Sequence, residues 1–205
     1  MMSLDEARRA LMARQGPGAR YDAPEAPAGM LHLARTGTAY FARFLNRLKE
    51  QDLYEPLRTD DRTAAHVICA VSYQARGIAR QGEAIAAGNT VPPLHDSDDE
   101  LRAKIELGAT LPDRALRHLF DHTAVHLNVV WRDLSADGWR TEAPDALGAW
   151  RPFSDSARAR ACFIWAAAFD LGNGARRNDL PAALAAANCP ELAVLSGADM
   201  KGLFR

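Results

Sequence analysis

Histidine and cysteine are the side chains best suited to ligating a metal or moving a proton, and this 205-residue chain has six of the first and three of the second. His118, His122 and His126 repeat at i, i+4 and i+8, and the last two have the form of a metal-binding pair on one side of a helix. Stepping about 100° per residue, with the Leu116–Leu134 direction as zero, puts His126 at about −80°, His122 at about −120° and His118 nearly opposite. They flank or oppose the apolar stripe of their helix, so a surface stripe is expected, with a relocated metal site as the alternative. Cys69, Cys162 and Cys189 form no CxxC pair and no even framework, which points to reduced thiols in a cytoplasmic protein. Neither Cys69 nor Cys162 has a histidine or lysine next to it in sequence, so both are expected to be buried, inert thiols rather than nucleophiles.

The elements that must position these groups are helical. Alanine and leucine dominate, aromatics are only 7%, and strand-like alternation is nearly absent. A short helix is expected over Ser3 to Arg14, ended by Gly16-Pro17-Gly18, and then an extended lead-in to about position 28. Four long helices follow, over about Gly29–Gln51, Arg62–Ala87, Pro112–Ala136 and Ser156–Leu171, each bounded by proline, glycine or asparagine. The last carries the run from Ala161 to Phe169, apolar on every side, as expected of a helix at the centre of a bundle. The acidic stretch Asp96 to Glu100 should open a short helical turn, and Trp139 to Asp155 should be loop. After Pro181 come a short alanine-rich helix and a small strand over Leu192–Leu195. This describes an all-α chain: a lead-in over 1–28, an antiparallel four-helix bundle over 29–180 and a small appendage over 181–205.

Charge and hydropathy limit the partners. With 25 basic and 26 acidic side chains there is no excess to neutralise a phosphate backbone, so nucleic acid is not an expected partner. No apolar run approaches the roughly 20 residues of a membrane span, and Arg8, Arg9 and Arg14 precede no signal-type apolar core. A small molecule is the partner that remains. The sequence leaves the oligomeric state open.

Several stretches, in order, carry a resemblance: Leu33-Ala34-Arg35-Thr36-Gly37-Thr38, Arg62-Thr63-Ala64-Ala65-His66-Val67, Leu127 to Trp139, Arg158-Ala159-Arg160, Phe169-Asp170-Leu171-Gly172 and Asp179-Leu180-Pro181. Together they resemble the mycothiol-dependent maleylpyruvate isomerase family of the DinB-like four-helix superfamily, over roughly Leu31 to Pro181. The resemblance implies a divalent metal, usually zinc, held by a histidine in the second long helix and a glutamate and histidine one turn apart in the fourth. It also implies a cis–trans isomerisation in which a low-molecular-weight thiol adds to a double bond, the resulting single bond rotates, and elimination restores the alkene. The family pattern puts the three metal ligands at Ala70, Phe163 and Ala167, none of which can coordinate zinc. The family's C-terminal segment looks cut short after Leu203-Phe204-Arg205, without its substrate-contacting arginine.

The expected site is therefore metal-free, with no cofactor predicted beyond the thiol that the resemblance implies. His66, Tyr73 and Arg160 are the catalytic candidates: two for proton transfer, one to orient an anion. Ala70, Gln74, Phe163, Ala167 and Asp170 are the candidate substrate-binding residues. Structural roles are the alternatives: a helix-packing or capping His66, and pairing of Arg160 and Asp170 within the fold. Two functions follow. One is a metal-independent enzyme acting on a small unsaturated or carboxylated substrate by isomerase-type or related acid/base chemistry; the other is a non-catalytic small-molecule-binding or interaction protein.

Overall fold

A computed structural model describes residues 6, 7, 10, 11, 13, 22–57, 61–186 and 189. Four long helices form the bundle: α1 (Ala28–Leu45), α2 (Ala64–Ala86), α4 (Asp113–Asp133) and α6 (Asp155–Asp170). Between them lie α3 (Asp98–Gly108), α5 (Ala136–Arg140) and an antiparallel pair of three-residue strands, β1 (Glu142–Pro144) and β2 (Trp150–Pro152). A short α7 (Ala182–Ala186) follows the bundle. No described helix is long and apolar enough to cross a membrane.

Local chemistry explains where the elements begin and end. Ser97 caps α3 by accepting from the Glu100 amide at 3.2 Å, and Asp98, Asp99 and Glu100 face the positive end of its dipole. This polar helix runs for eleven residues, well beyond the single turn expected from the sequence. At the end of α2, Gly88 adopts φ +69°, so that its amide reaches the Ile85 carbonyl at 3.1 Å and the Asn89 amide reaches Ala84 at 2.9 Å. That left-handed turn closes the last carbonyls of the helix and is open to glycine at little cost. The segment expected to be loop after Trp139 instead carries the small hairpin, too short for alternation to reveal. Of the N-terminal helix expected over Ser3 to Arg14, Glu6, Ala7, Ala10, Leu11 and Ala13 are helical. The strand expected over Leu192–Leu195 lies outside the described residues.

Cross-helix contacts fix the directions. The Trp165 indole donates to the Leu33 carbonyl at 3.1 Å and the Asn173 amide to Phe44 at 2.7 Å, so α1 and α6 run the same way. Arg35 bonds Asn128, and Arg117 donates to the carbonyls of Leu45 and Leu48, so α4 runs opposite to α1. Arg160 on α6 reaches Val71 on α2, while Gly82 lies against Phe153, so these two are also opposed. The bundle thus runs up, down, down, up, two helices in each direction, and α3 returns the chain between the parallel α2 and α4. The core is continuous, with Phe41 and Phe120 at 5.0 Å and Tyr40 stacked on Trp165 at 4.5 Å. The apolar run of α6 is buried except at Phe163 and Phe169, which are half-buried.

The chain after α6 folds back onto the bundle. The Tyr40 hydroxyl donates to Asp179 at 2.6 Å and accepts from the Arg176 amide at 3.2 Å, and Leu184 is buried. Cys189 is joined to Cys162 by a disulfide across a sequence separation of 27. This corrects the expectation of unpaired cysteines: bonds follow folded distance, and α6 and the returning segment bring the two Cα atoms to 5.7 Å. Cys69 is buried and free.

Candidate functional site

The residues of α2 divide between two neighbours, as a 3.6-residue period requires. One face, with His66, Cys69, Tyr73 and Gly77, packs on α3 and the segment before it. His66 Nε2 lies 3.2 Å from the Glu106 carboxylate, and a side chain at Gly108 would strike Tyr73 and Cys69. The other face, with Val71 and Gln74, meets α6 at Arg160.

His66 stands at the third position of α2, and its Nδ1 accepts the Thr63 backbone N–H at 3.1 Å. One free amide of the helix start is thereby satisfied, which leaves the Nε2 proton facing Glu106. The ring is committed at both nitrogens. Tyr73 is half-buried, and burial raises its pKa, with a smaller push from Cys69 against a lowering by Arg76. The Cys69 thiol is pushed up to about 12 by burial and stays neutral. His66 and Tyr73, expected to share a site with Arg160, therefore lie on the α3 side of α2 while Arg160 lies on the α6 side.

Arg160 is 1% exposed in the seam between α2 and α6. Its Nη1 donates to the Val71 carbonyl at 2.7 Å and to Gln74 Oε1 at 3.0 Å. Both acceptors are neutral. Nε and Nη2 are buried and have no acceptor among the described protein groups. Burial lowers the pKa to about 9, and no carboxylate among the described residues offsets that effect. At neutral pH the group remains a cation held inside the bundle. The structure thus brings Gln74 to Arg160 as a polar pair.

The three positions that the resemblance assigns to metal ligands carry no donor. Ala70 and Ala167 are buried and Phe163 is half-buried. Methyl groups and a phenyl ring do not fit zinc, which takes nitrogen, sulfur or oxygen donors. Among the described residues, no three histidine, cysteine, aspartate or glutamate side chains are grouped to hold an ion. The rings of His118, His122 and His126 meet edge-on at 6.0 and 6.1 Å along the outside of α4, and His126 Nε2 sits 2.7 Å from Glu83. Asp170 is half-buried at the last position of α6.

Two partners escaped the sequence reading. Glu106 lies beyond the single turn that the acidic stretch Asp96 to Glu100 predicts; the Ser97-Asp98-Asp99-Glu100 start is the signal for a longer helix. The Val71 carbonyl, being backbone, has no signature in the sequence.

The family described as the mycothiol maleylpyruvate isomerase N-terminal domain matches residues 34–172, from α1 to the end of α6. Among solved structures, the chain is similar to a mycothiol-dependent maleylpyruvate isomerase at 30% identity and a TM-score of 0.73. A histidine-to-alanine mutant of mycothiol-dependent maleylpyruvate isomerase matches at 31% identity, also with a TM-score of 0.73. Each match covers 77% of this chain but 65% of the solved one, so this chain spans just under two thirds of the length of those isomerases. None of the curated proteins matches.

Proposed function

The chain belongs to the mycothiol maleylpyruvate isomerase N-terminal domain family, and from that premise we propose that it is an isomerase-type enzyme working without a metal at the family position. Its substrate is a small unsaturated or carboxylated molecule taken up at the α2–α6 seam. The observation that carries this reading is Arg160, a buried cation braced by Gln74 and the Val71 carbonyl, with two donors left over. The structurally similar isomerases are mycothiol-dependent; a low-molecular-weight thiol would supply the nucleophile that turns a double bond into a rotatable single bond. A guanidinium in the seam suits an anionic thiolate as it suits a carboxylate.

The chain's own contribution is binding and electrostatics. Arg160 holds a substrate carboxylate and draws charge toward it, stabilising negative charge that develops on the conjugated oxygens. Gln74 keeps the guanidinium plane fixed. Ala70 and Ala167, both buried, and the half-buried Phe163 would keep the surroundings apolar. A cytoplasmic location accompanies this reading, although the Cys162–Cys189 bond removes the unpaired cysteines on which that expectation first stood.

The test is a proton NMR assay of cis-to-trans conversion of unsaturated keto- and dicarboxylic acids with a small thiol, in the presence of a chelator. Turnover above the protein-free rate is expected. Binding of these acids with no turnover would favour the second reading, a non-catalytic binder. Two observations speak for that alternative: Phe163 stands where the resemblance puts a ligand, and His66 and Tyr73 face α3.

A further inference from the structure

The guanidinium of Arg160 has two edges, and the fold uses only one of them. Nη1 is spent on the Val71 carbonyl and Gln74 Oε1, at 2.7 and 3.0 Å. These bonds fix the plane of the group but bring no negative charge. The opposite edge presents Nε–H and an Nη2–H side by side, both buried and both without a protein acceptor among the described residues. That parallel pair matches the two oxygens of a carboxylate, the fork-to-fork arrangement that arginine makes best. A cation buried with only neutral partners is among the costliest arrangements a fold can hold, and an anion relieves it most directly.

We infer that the Nε/Nη2 edge of Arg160 is a two-point receptor for one carboxylate group, set in the seam between α2 and α6. The inference rests on the reading above in taking this seam as the ligand site, and it names the feature by which the ligand is held. A carboxylate fits better than a phosphate for two reasons. Among the described residues no second arginine or lysine is bonded to the Arg160–Gln74 pair, so one positive charge is available there and a monoanionic group balances it. Ala70, next to Val71 on α2, and Phe163, one turn from Arg160 on α6, are apolar, which suits the planar unsaturated remainder of such an acid and gives nothing to the outer oxygens of a phosphate.

The experiment is a titration of the 15N-labelled full chain with maleate, crotonate, inorganic phosphate and chloride, following the Arg160 Nε–H resonance. Maleate and crotonate should each move it saturably, whereas chloride and phosphate should not at matched ionic strength. Arg160→Lys, which keeps the charge but loses the fork, should weaken maleate binding at least about tenfold. Gln74→Leu, which frees the guanidinium plane, should weaken it less. An Nε–H signal unmoved at saturating maleate, or equal binding by Arg160→Lys, overturns the inference. A response to phosphate or chloride as strong as to maleate overturns its commitment to carboxylate. The wild-type titration stands even where a variant fails to fold. The two readings also fail separately. Maleate bound through Arg160 with no turnover of any acid sinks the enzyme and keeps the receptor. Turnover undiminished in Arg160→Lys keeps the enzyme and sinks the receptor.

Discussion

At the scale of single residues, burial decides which groups can do chemistry. Cys69 is a neutral thiol, its pKa pushed from 9.0 up to about 12 by burial. The unfolded chain ionises this thiol near pH 9 while the folded chain keeps its proton, so its stabilising contribution is whole below pH 9 and is lost as pH rises toward 12. The cost of Cys69→Ala, measured by urea melts, should therefore shrink by up to about 1.4 kcal/mol per pH unit across that window. Arg160 pulls the other way over the same range, its pKa being lowered, but it is common to both proteins and cancels in the difference. A cost independent of pH would mean that the thiol is reached by solvent. Trp165, 2% exposed and bonded to the Leu33 carbonyl, should cost about 3–5 kcal/mol on replacement by alanine. Less than 1 kcal/mol would place α6 at the surface.

At the scale of elements, the amphipathic and wholly apolar helices are legible because periodicity reports burial; α2 and α6 lie within two residues of their expected bounds, whereas α1 stops at Leu45, short of the expected Gln51, and α4 at Asp133, short of Ala136. α3 is mostly polar, and only a narrow stripe of Leu101, Ile105 and Gly108 meets the core, too short for periodicity to reveal, with Glu106 beside it at His66. α3 covers the face of His66 and Tyr73: Nε2 of His66 faces Glu106, while its Nδ1 caps α2 through Thr63. Replacing His66 by alanine should lower stability by about 1 kcal/mol, the usual cost of a lost cap, read from thermal or urea unfolding. A fall in turnover on the order of 10²-fold at unchanged stability would return it to proton transfer. Arg160 and Gln74 were legible as candidates from their place on facing helices, but their mutual bond depends on helix direction, which the periodicity of either helix does not carry.

At the scale of the whole molecule, the chain after α6 is fastened to the bundle by Tyr40, Asn173 and the Cys162–Cys189 bond. A crosslink across 27 residues should contribute about 3.5 kcal/mol by loop entropy, so Cys189→Ser, or wild type with excess dithiothreitol, should melt at lower denaturant by that amount. Equal midpoints with and without reductant would show the two thiols unbonded in solution. Counting cysteines could not reveal this pair, because it joins α6 to a segment whose path depends on the tertiary fold. We propose that this bundle works through the buried Arg160 instead of a metal at the family position. The most direct measurement is the rate of cis-to-trans isomerisation with a small thiol, compared among untreated, chelator-dialysed and Arg160→Met protein. The rate should survive chelation and fall roughly 30-fold or more in Arg160→Met, the scale of losing one partner of a buried charge pair. A rate abolished by chelation, restored by zinc and indifferent to Arg160→Met would contradict it.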